Sequence, residues 1–154
     1  MPRRAAASPR AEAVTPVAFP ASAMRFLVLR LGPGEDLRGA LEEAFAAQGE
    51  QAGFVVSAVG SLSVAALRHA GRDEASVTEK DYELLSLSGT FSVDGPHLHV
   101  MLSDREGRVT GGHLLAGSLI RTTAEIVLGL AEGVRFSRPL DAETGYAELL
   151  AETL

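Results

Sequence analysis

The sequence has no cysteine and no tryptophan among its 154 residues, and only two tyrosines and six phenylalanines. The missing cysteines exclude disulfides, thiolate metal sites, cysteine nucleophiles and iron–sulfur clusters. The few aromatic rings offer little surface on which nucleotide bases could stack. Any transition-metal site in this chain must therefore use imidazole, carboxylate and water ligands.

Long apolar runs and an excess of positive charge are also missing. No run approaches the 18 or more apolar residues that cross a bilayer, and Ala5-Ala6-Ala7 after Arg3-Arg4 is too short for an export signal. The formal net charge is −6, and three arginines against one glutamate give residues 1–23 a charge of +2, which leaves −8 for residues 24–154. An acidic body is a poor partner for nucleic acid. We expect a soluble, cytoplasmic protein that binds neither membranes nor DNA directly.

What is present is the composition of one globular domain. Hydrophobic residues make up 46% of the chain and charged residues 22%, which is ordinary for a protein with a buried core. Residues 1–23 are rich in alanine, proline and arginine and show no periodicity, so we expect a flexible tail there. Residues 24–154 then form a single domain, and Met24 is a candidate for the biological start.

Hydrophobic patterning predicts one helix and about seven strands. The helix runs from about Asp36 to Gln48, because Leu37, Leu41 and Phe45 recur at helical spacing. Short turns join most of the strands, which favours antiparallel pairing and the α+β class, with the helix packed on the sheet. The predicted strands cover residues 26–29, 54–56, 64–67, 82–93, 97–103, 109–120 and 123–130, with a last short strand within 134–154 and a loop at 70–80. By composition alone, the segment 123–130 could also be helical.

Three of the four histidines lie close together in the sequence, at His97, His99 and His113. His97 and His99 share one face if their segment is a strand. The turn at 104–108 has Asp in its first position and Gly in its fourth, which favours a three-residue loop and places His99 opposite His113. A two-residue turn would put His113 on the other face, unless a bulge at Gly111-Gly112 restores it.

Three imidazoles on one face predict a site for a divalent metal, with zinc foremost, because catalytic zinc uses three histidines and leaves one position open. The alternative is a set of half-buried or surface histidines on a polar sheet face. His69 stands apart and is expected to lie at the surface or to be loosely hydrogen-bonded. Glu83 and Glu125 are either solvent-facing or site carboxylates, and no residue is assigned a catalytic role.

Several segments resemble the plant and prokaryote conserved (PPC) domain family. The stretch Tyr82 to Phe91 is similar to its aromatic-Glu-Ile-Leu-Ser-Leu-Ser-Gly-x-Phe motif. The block His97-Leu98-His99 through Gly111-Gly112-His113-Leu114 looks like its most characteristic feature. Further matches are Thr123 to Val127 and the Phe136-x-Arg138, Asp141 and Thr144-Gly145 segment, so that the resemblance covers about 24–150.

The resemblance implies a strongly bent antiparallel sheet and a homotrimer. It also implies that His97, His99 and His113 are metal ligands, as in prokaryotic members. Plant members act as nuclear DNA-binding regulators through a separate AT-hook segment with the sequence Arg-Gly-Arg-Pro. That segment is absent from this sequence, and Arg3-Arg4 lacks its Gly and Pro context.

Two functions remain open at this point. The first is a metal-binding homotrimer that binds or hydrolyses an unknown small molecule. The second is a non-enzymatic regulatory or oligomerisation module associated with DNA. We expect the trimer interface either on the side of Leu85, Leu87 and Phe91 or on the apolar run 126–128.

Overall fold

The computed structural model describes residues 23–154, so the predicted tail lies outside the described residues except for Ala23. The described part contains eight strands and one helix. They are β1 (Met24–Leu31), α1 (Leu37–Ala46), β2 (Gly53–Arg68), β3 (Ser76–Ser92), β4 (Gly95–Asp104), β5 (Val109–Leu114), β6 (Leu119–Ala131), β7 (Val134–Ser137) and β8 (Leu150–Thr153).

The strands form one large antiparallel sheet and one small one. The large sheet has the order β1-β6-β2-β3-β4-β5, and β7 pairs with β8. The long strand β2 also pairs with β5, with Leu67 opposite Leu114 and Arg68 opposite His113. This extra pairing closes β2, β3, β4 and β5 into a ring, and register shifts along β2 bend the sheet. The α+β class and the bent antiparallel sheet are therefore confirmed.

Three predicted boundaries were wrong. Strand β2 continues through Gly60, although glycine is typical of turns. Glycine is needed there because β2 and β6 lie close together, and a Cβ on Gly60 would lie 2.4 Å from the Thr123 carbonyl oxygen. The predicted loop at 70–80 belongs to β3 from Ser76 onward, because Ser76 to Thr78 pair with the end of β2. The predicted strand at 109–120 is two strands, separated by a turn in which the Gly117 amide donates to the Asp36 carboxylate.

The single helix lies where the sequence predicts it and buries the predicted stripe. Asp36 caps its N-terminus by accepting a hydrogen bond of 2.8 Å from the Gly39 amide. Leu37, Leu41 and Phe45 are buried against the sheet, where the Phe45 ring lies 5.1 Å from that of Phe91. At ten residues, the one helix of the described residues is too short to cross a membrane.

The sheet buries one face and leaves part of the other apolar and exposed. The segments that we expected at an interface are in the core, since Leu87, Phe91, Ile126 and Leu128 are all buried. Leu85, which we expected on the same side as Leu87 and Phe91, is exposed instead. A register shift between Leu84 and Ser86 explains this difference. Exposed apolar side chains on β1 and β2 are Met24, Phe26, Val28, Val56 and Val59, and others lie elsewhere, among them Val77 on β3 and Met101 on β4.

Candidate metal centre

The β4–β5 hairpin carries the three clustered histidines, and its turn has the predicted form. The Gly107 amide donates to the Asp104 carbonyl at 2.9 Å, and Gly107 adopts a φ of 76°. The Asp104 amide then donates to the Arg108 carbonyl at 3.0 Å, which closes a three-residue loop. As a result His99 lies directly opposite His113, as predicted.

The pleat of β4 separates apolar from polar side chains. Leu98, Val100 and Leu102 are buried, while His99 is exposed and His97 is half-buried on the opposite face. Since residues on a strand alternate between faces, burial of the leucines and the valine forces both imidazoles outward. The core thus orients two of the three candidate ligands.

Gly111 and Gly112 let β5 lie close to both of its neighbours. A Cβ on Gly111 would come 2.5 Å from the Val100 carbonyl oxygen, and one on Gly112 would come 2.7 Å from that of Arg68. The β4–β5 register contains no shift, so the two glycines form no bulge. They are needed because β5 lies close to β4 and β2. His113 is thereby held between β4 and β2.

The three imidazoles converge on a common point. His97 Nε2 lies 3.1 Å from His99 Nε2 and 3.2 Å from His113 Nδ1, and ligand atoms of all three rings lie within 4.8 Å of one another. Two nitrogens bound tetrahedrally to zinc at 2.0–2.1 Å are about 3.3 Å apart. Two of the separations are close to this value, so the three histidines could hold a metal ion.

Burial and nearby positive charge favour the neutral, metal-binding form of two of these rings. Burial lowers the pKa of His97 below its ordinary value of 6.5, and the charge of Arg138 lowers it further. Burial and the charge of Arg68 likewise lower the pKa of His113. A neutral imidazole has a free lone pair for a metal, so at neutral pH these two side chains are ready to act as ligands.

The other candidates lie outside this cluster. His69 is half-buried, and its Nδ1 lies 3.0 Å from the Gly111 carbonyl oxygen, which fits the expected minor role. Glu83 and Glu125 are exposed, and within residues 23–154 no carboxylate joins the three histidines.

Sequence reasoning missed Arg68 and Arg138. No local motif marks Arg68, and the Phe136-x-Arg138 match gave Arg138 no role in the site. The pairing of β2 with β5 places Arg68 opposite His113, and Arg138 lines the same cleft as His97.

Comparison with known proteins places the chain in a family. The family model described as the Plants and Prokaryotes Conserved (PCC) domain matches residues 19–132. The bifunctional protein GlmU of Synechococcus sp. (strain JA-3-3Ab) is 49% identical over 142 residues, which cover 92% of this chain and 23% of that protein. The AT-hook motif nuclear-localized protein 8 of Arabidopsis thaliana is 29% identical over 111 residues, which cover 66% of this chain and 28% of that protein. The chain thus spans about a quarter of these relatives.

Solved structures agree with this placement. A hypothetical protein from Salmonella has a TM-score of 0.84 at 36% identity, and the match covers 87% of this chain and 97% of that one. The metal-containing protein from Archaeoglobus fulgidus gives 0.69 at 29% identity, covering 86% and 99%. The PPC protein of Pyrococcus horikoshii gives 0.67 at 28%, covering 90% and 99%. The resemblance inferred from the sequence is confirmed, and the chain belongs to the Plants and Prokaryotes Conserved domain family.

Proposed function

We propose that this protein is a metal-binding homotrimer in which His97, His99 and His113 hold one divalent ion per chain, with zinc foremost. The observation that carries this proposal is the convergence of three imidazoles on one face of the β4–β5 hairpin. The similar protein from Archaeoglobus fulgidus is described as metal-containing, which supports the assignment.

The donor set favours zinc over the hard cations. Imidazole suits zinc, copper, iron and nickel, whereas magnesium and calcium prefer oxygen ligands. A tetrahedral ion held by three histidines would keep one position open for a small polar molecule, and the exposure of His99 supports access from solvent. When bound there, zinc supplies Lewis-acid activation of a water or carbonyl group, the chemistry that hydrolysis would need.

The proposal of a homotrimer is supported by an uncovered apolar patch on the outer sheet face. On β1, Met24, Phe26 and Val28 are 51%, 61% and 73% exposed. Phe26 and Phe54 lie on either side of Gly129 in register, and Gly129 leaves room for the Phe54 ring, which would lie 2.7 Å from a Cβ there. Clustered exposed apolar side chains of this kind mark interaction surfaces. We assign this patch to contacts between copies of the chain.

A zinc titration with matched histidine variants tests the metal site. Metal-free wild type, His99→Ala and His69→Ala would each be titrated with zinc against a chromophoric chelator. We expect one tight site per chain in wild type and in His69→Ala, because His69 lies outside the cluster. Loss of a ligand should weaken binding in His99→Ala by more than about 100-fold, since even indirect changes around a zinc ligand cost 10–100-fold. Equal affinities for His99→Ala and His69→Ala would refute the site.

A further inference from the structure

A cleft opens beside the histidine cluster. Its volume is about 680 Å³, and His97 and His113 form part of its wall. The loop after β2 and the segment between β7 and β8 form other parts of that wall, through Arg72 and Tyr146 among others. This volume lies within the range of small-molecule sites, about 300–1,000 Å³. The cleft therefore has room for a ligand that also reaches the open position of a metal on the histidines.

The lining of this cleft is positively charged in a protein that is negative as a whole. Four arginines line it against two acidic residues, so the lining carries a formal charge of +2 while the chain carries −6. Within residues 23–154, neither Arg68 nor Arg138 forms a salt bridge with an acidic side chain. A concave site with charge of one sign attracts ligands of the opposite sign.

Arg138 is held in place by neutral groups. Its Nη1 donates to the Ala147 carbonyl at 3.2 Å and its Nη2 donates to Thr90 Oγ1 at 3.1 Å. Its Nε is buried and finds no acceptor among residues 23–154. Buried donors in folded proteins are nearly always paired, and among residues 23–154 no carboxylate forms a salt bridge with this guanidinium. Nearby acidic groups contact other atoms or line the cleft, since Asp94 accepts from the Arg138 backbone amide and Glu148 is part of the cleft wall. Both its charge and its spare donor suit an anionic ligand.

Arg68 supplies positive charge on the other side of the cluster. It lies opposite His113 in the β2–β5 pairing, and within residues 23–154 its guanidinium makes one hydrogen bond, a long one of 3.4 Å to the Arg72 carbonyl. Two guanidinium groups thus flank the imidazoles, Arg138 near His97 and Arg68 near His113. Guanidinium groups bind carboxylates and phosphates through paired N–H donors.

We propose that the cleft binds a small carboxylate- or phosphate-bearing molecule, with its anionic group on Arg68 and Arg138 and a second polar atom directed to the metal position. This inference rests on the proposed function and deepens it, because it names the ligand class of the same site.

Calorimetric titration with two simple anions tests the proposal. Inorganic phosphate and succinate would be titrated separately into zinc-loaded and metal-free protein, after removal of excess zinc, so that the two anion classes are distinguished. The variants are Arg68→Gln and Arg138→Lys. The control is Arg135→Gln, which removes one positive charge from an exposed position of β7 outside the cleft. The zinc content and thermal unfolding of every sample are measured alongside.

We expect at least one of the anions to bind wild type. Binding should weaken about tenfold or more in Arg68→Gln, as the loss of a charge-assisted hydrogen bond predicts. Binding should also weaken in Arg138→Lys, which keeps the positive charge but loses the paired N–H donors of the guanidinium group. It should stay unchanged in Arg135→Gln. If the anion binds more tightly to zinc-loaded than to metal-free protein, this would support a contact between a second polar atom of the ligand and the metal.

Two results would overturn the inference while leaving the metal site intact. The first is zinc-loaded wild type that binds neither anion at about 5 mM, a concentration that detects even millimolar affinity. The second is equal weakening in Arg68→Gln and Arg135→Gln, which would assign the effect to overall charge. If zinc fails to bind while an anion binds in an Arg68-dependent manner, the proposed metal function is refuted and the anion cleft is supported.

Discussion

Substitution of Gly89 by alanine should break the contact between β3 and β4 that positions His97. Gly89 pairs with Leu98 across these strands and has a φ of 140°, which L side chains rarely adopt. A Cβ at this position would lie 1.9 Å from the His97 carbonyl oxygen. The side chain has no open direction to move into, because the obstacle is backbone.

The cost follows from the distances. Since Cβ atoms essentially never come within 3.0 Å of another heavy atom, the strands must separate locally by about 1 Å, which stretches nearby hydrogen bonds beyond useful length. Loss of about two backbone hydrogen bonds costs roughly 2 kcal/mol, and the unfavourable φ adds about 1–3 kcal/mol. We therefore expect the free energy of unfolding to fall by about 3–5 kcal/mol, a large part of the usual 5–15 kcal/mol.

Urea unfolding of Gly89→Ala beside Gly95→Ala measures this difference. Gly95 has a φ of 106° in the same hairpin, but a Cβ there would meet nothing within 4 Å. Gly95→Ala thus has the unfavourable φ without the steric clash, and we expect its free energy of unfolding to fall by about 1–3 kcal/mol. Chain concentration is held constant, since an oligomer unfolds in a concentration-dependent way. Equal stability of the two variants would refute the reasoning.

Three further outcomes are expected. Zinc should stay bound down to a pH below 6.5, because the lowered pKa values of His97 and His113 keep these two rings neutral there. As the pH falls further, the rings become protonated and their contribution to the stability of the fold is lost. Zinc loss centred above pH 6.5 in a pH titration would contradict this prediction. Light scattering should show that the wild-type protein is a trimer and that Phe26→Glu dissociates it. The control Val77→Glu should remain trimeric, although Val77 on β3 is as exposed as Phe26. A monomeric wild type would contradict the proposed assembly. A mobility-shift titration at about 150 mM salt should show no specific DNA complex, because the −8 charge of residues 24–154 repels phosphates; tight, sequence-selective binding would overturn this.

The hairpin that carries the site could be predicted because its determinants are local. Asp104 and Gly107 select the turn, the turn sets the register, and the register places His99 opposite His113. Alternation of apolar and polar residues then decides which way the side chains point. Each of these steps depends on residues that are neighbours in the sequence or directly across one turn.

The features that escaped prediction depend on contacts between distant segments. Gly60 is a turn former by composition, and only the closeness of β6 shows why a glycine lies inside a strand. A single register shift after Leu84 exchanges the inward and outward positions of β3. Arg138 lies in the same cleft wall as His97 because the segment after β7 packs against the β3–β4 hairpin, where Arg138 Nη2 donates to Thr90 Oγ1.

The metal content of untagged protein shows directly whether His97, His99 and His113 hold an ion. Wild type and His99→Ala would be purified side by side in metal-free buffers and analysed by plasma mass spectrometry for all first-row metals. We expect close to one divalent ion per chain in wild type, with zinc foremost, and a loss of most of it in His99→Ala. Equal trace amounts of metal in both proteins would refute the three-histidine site.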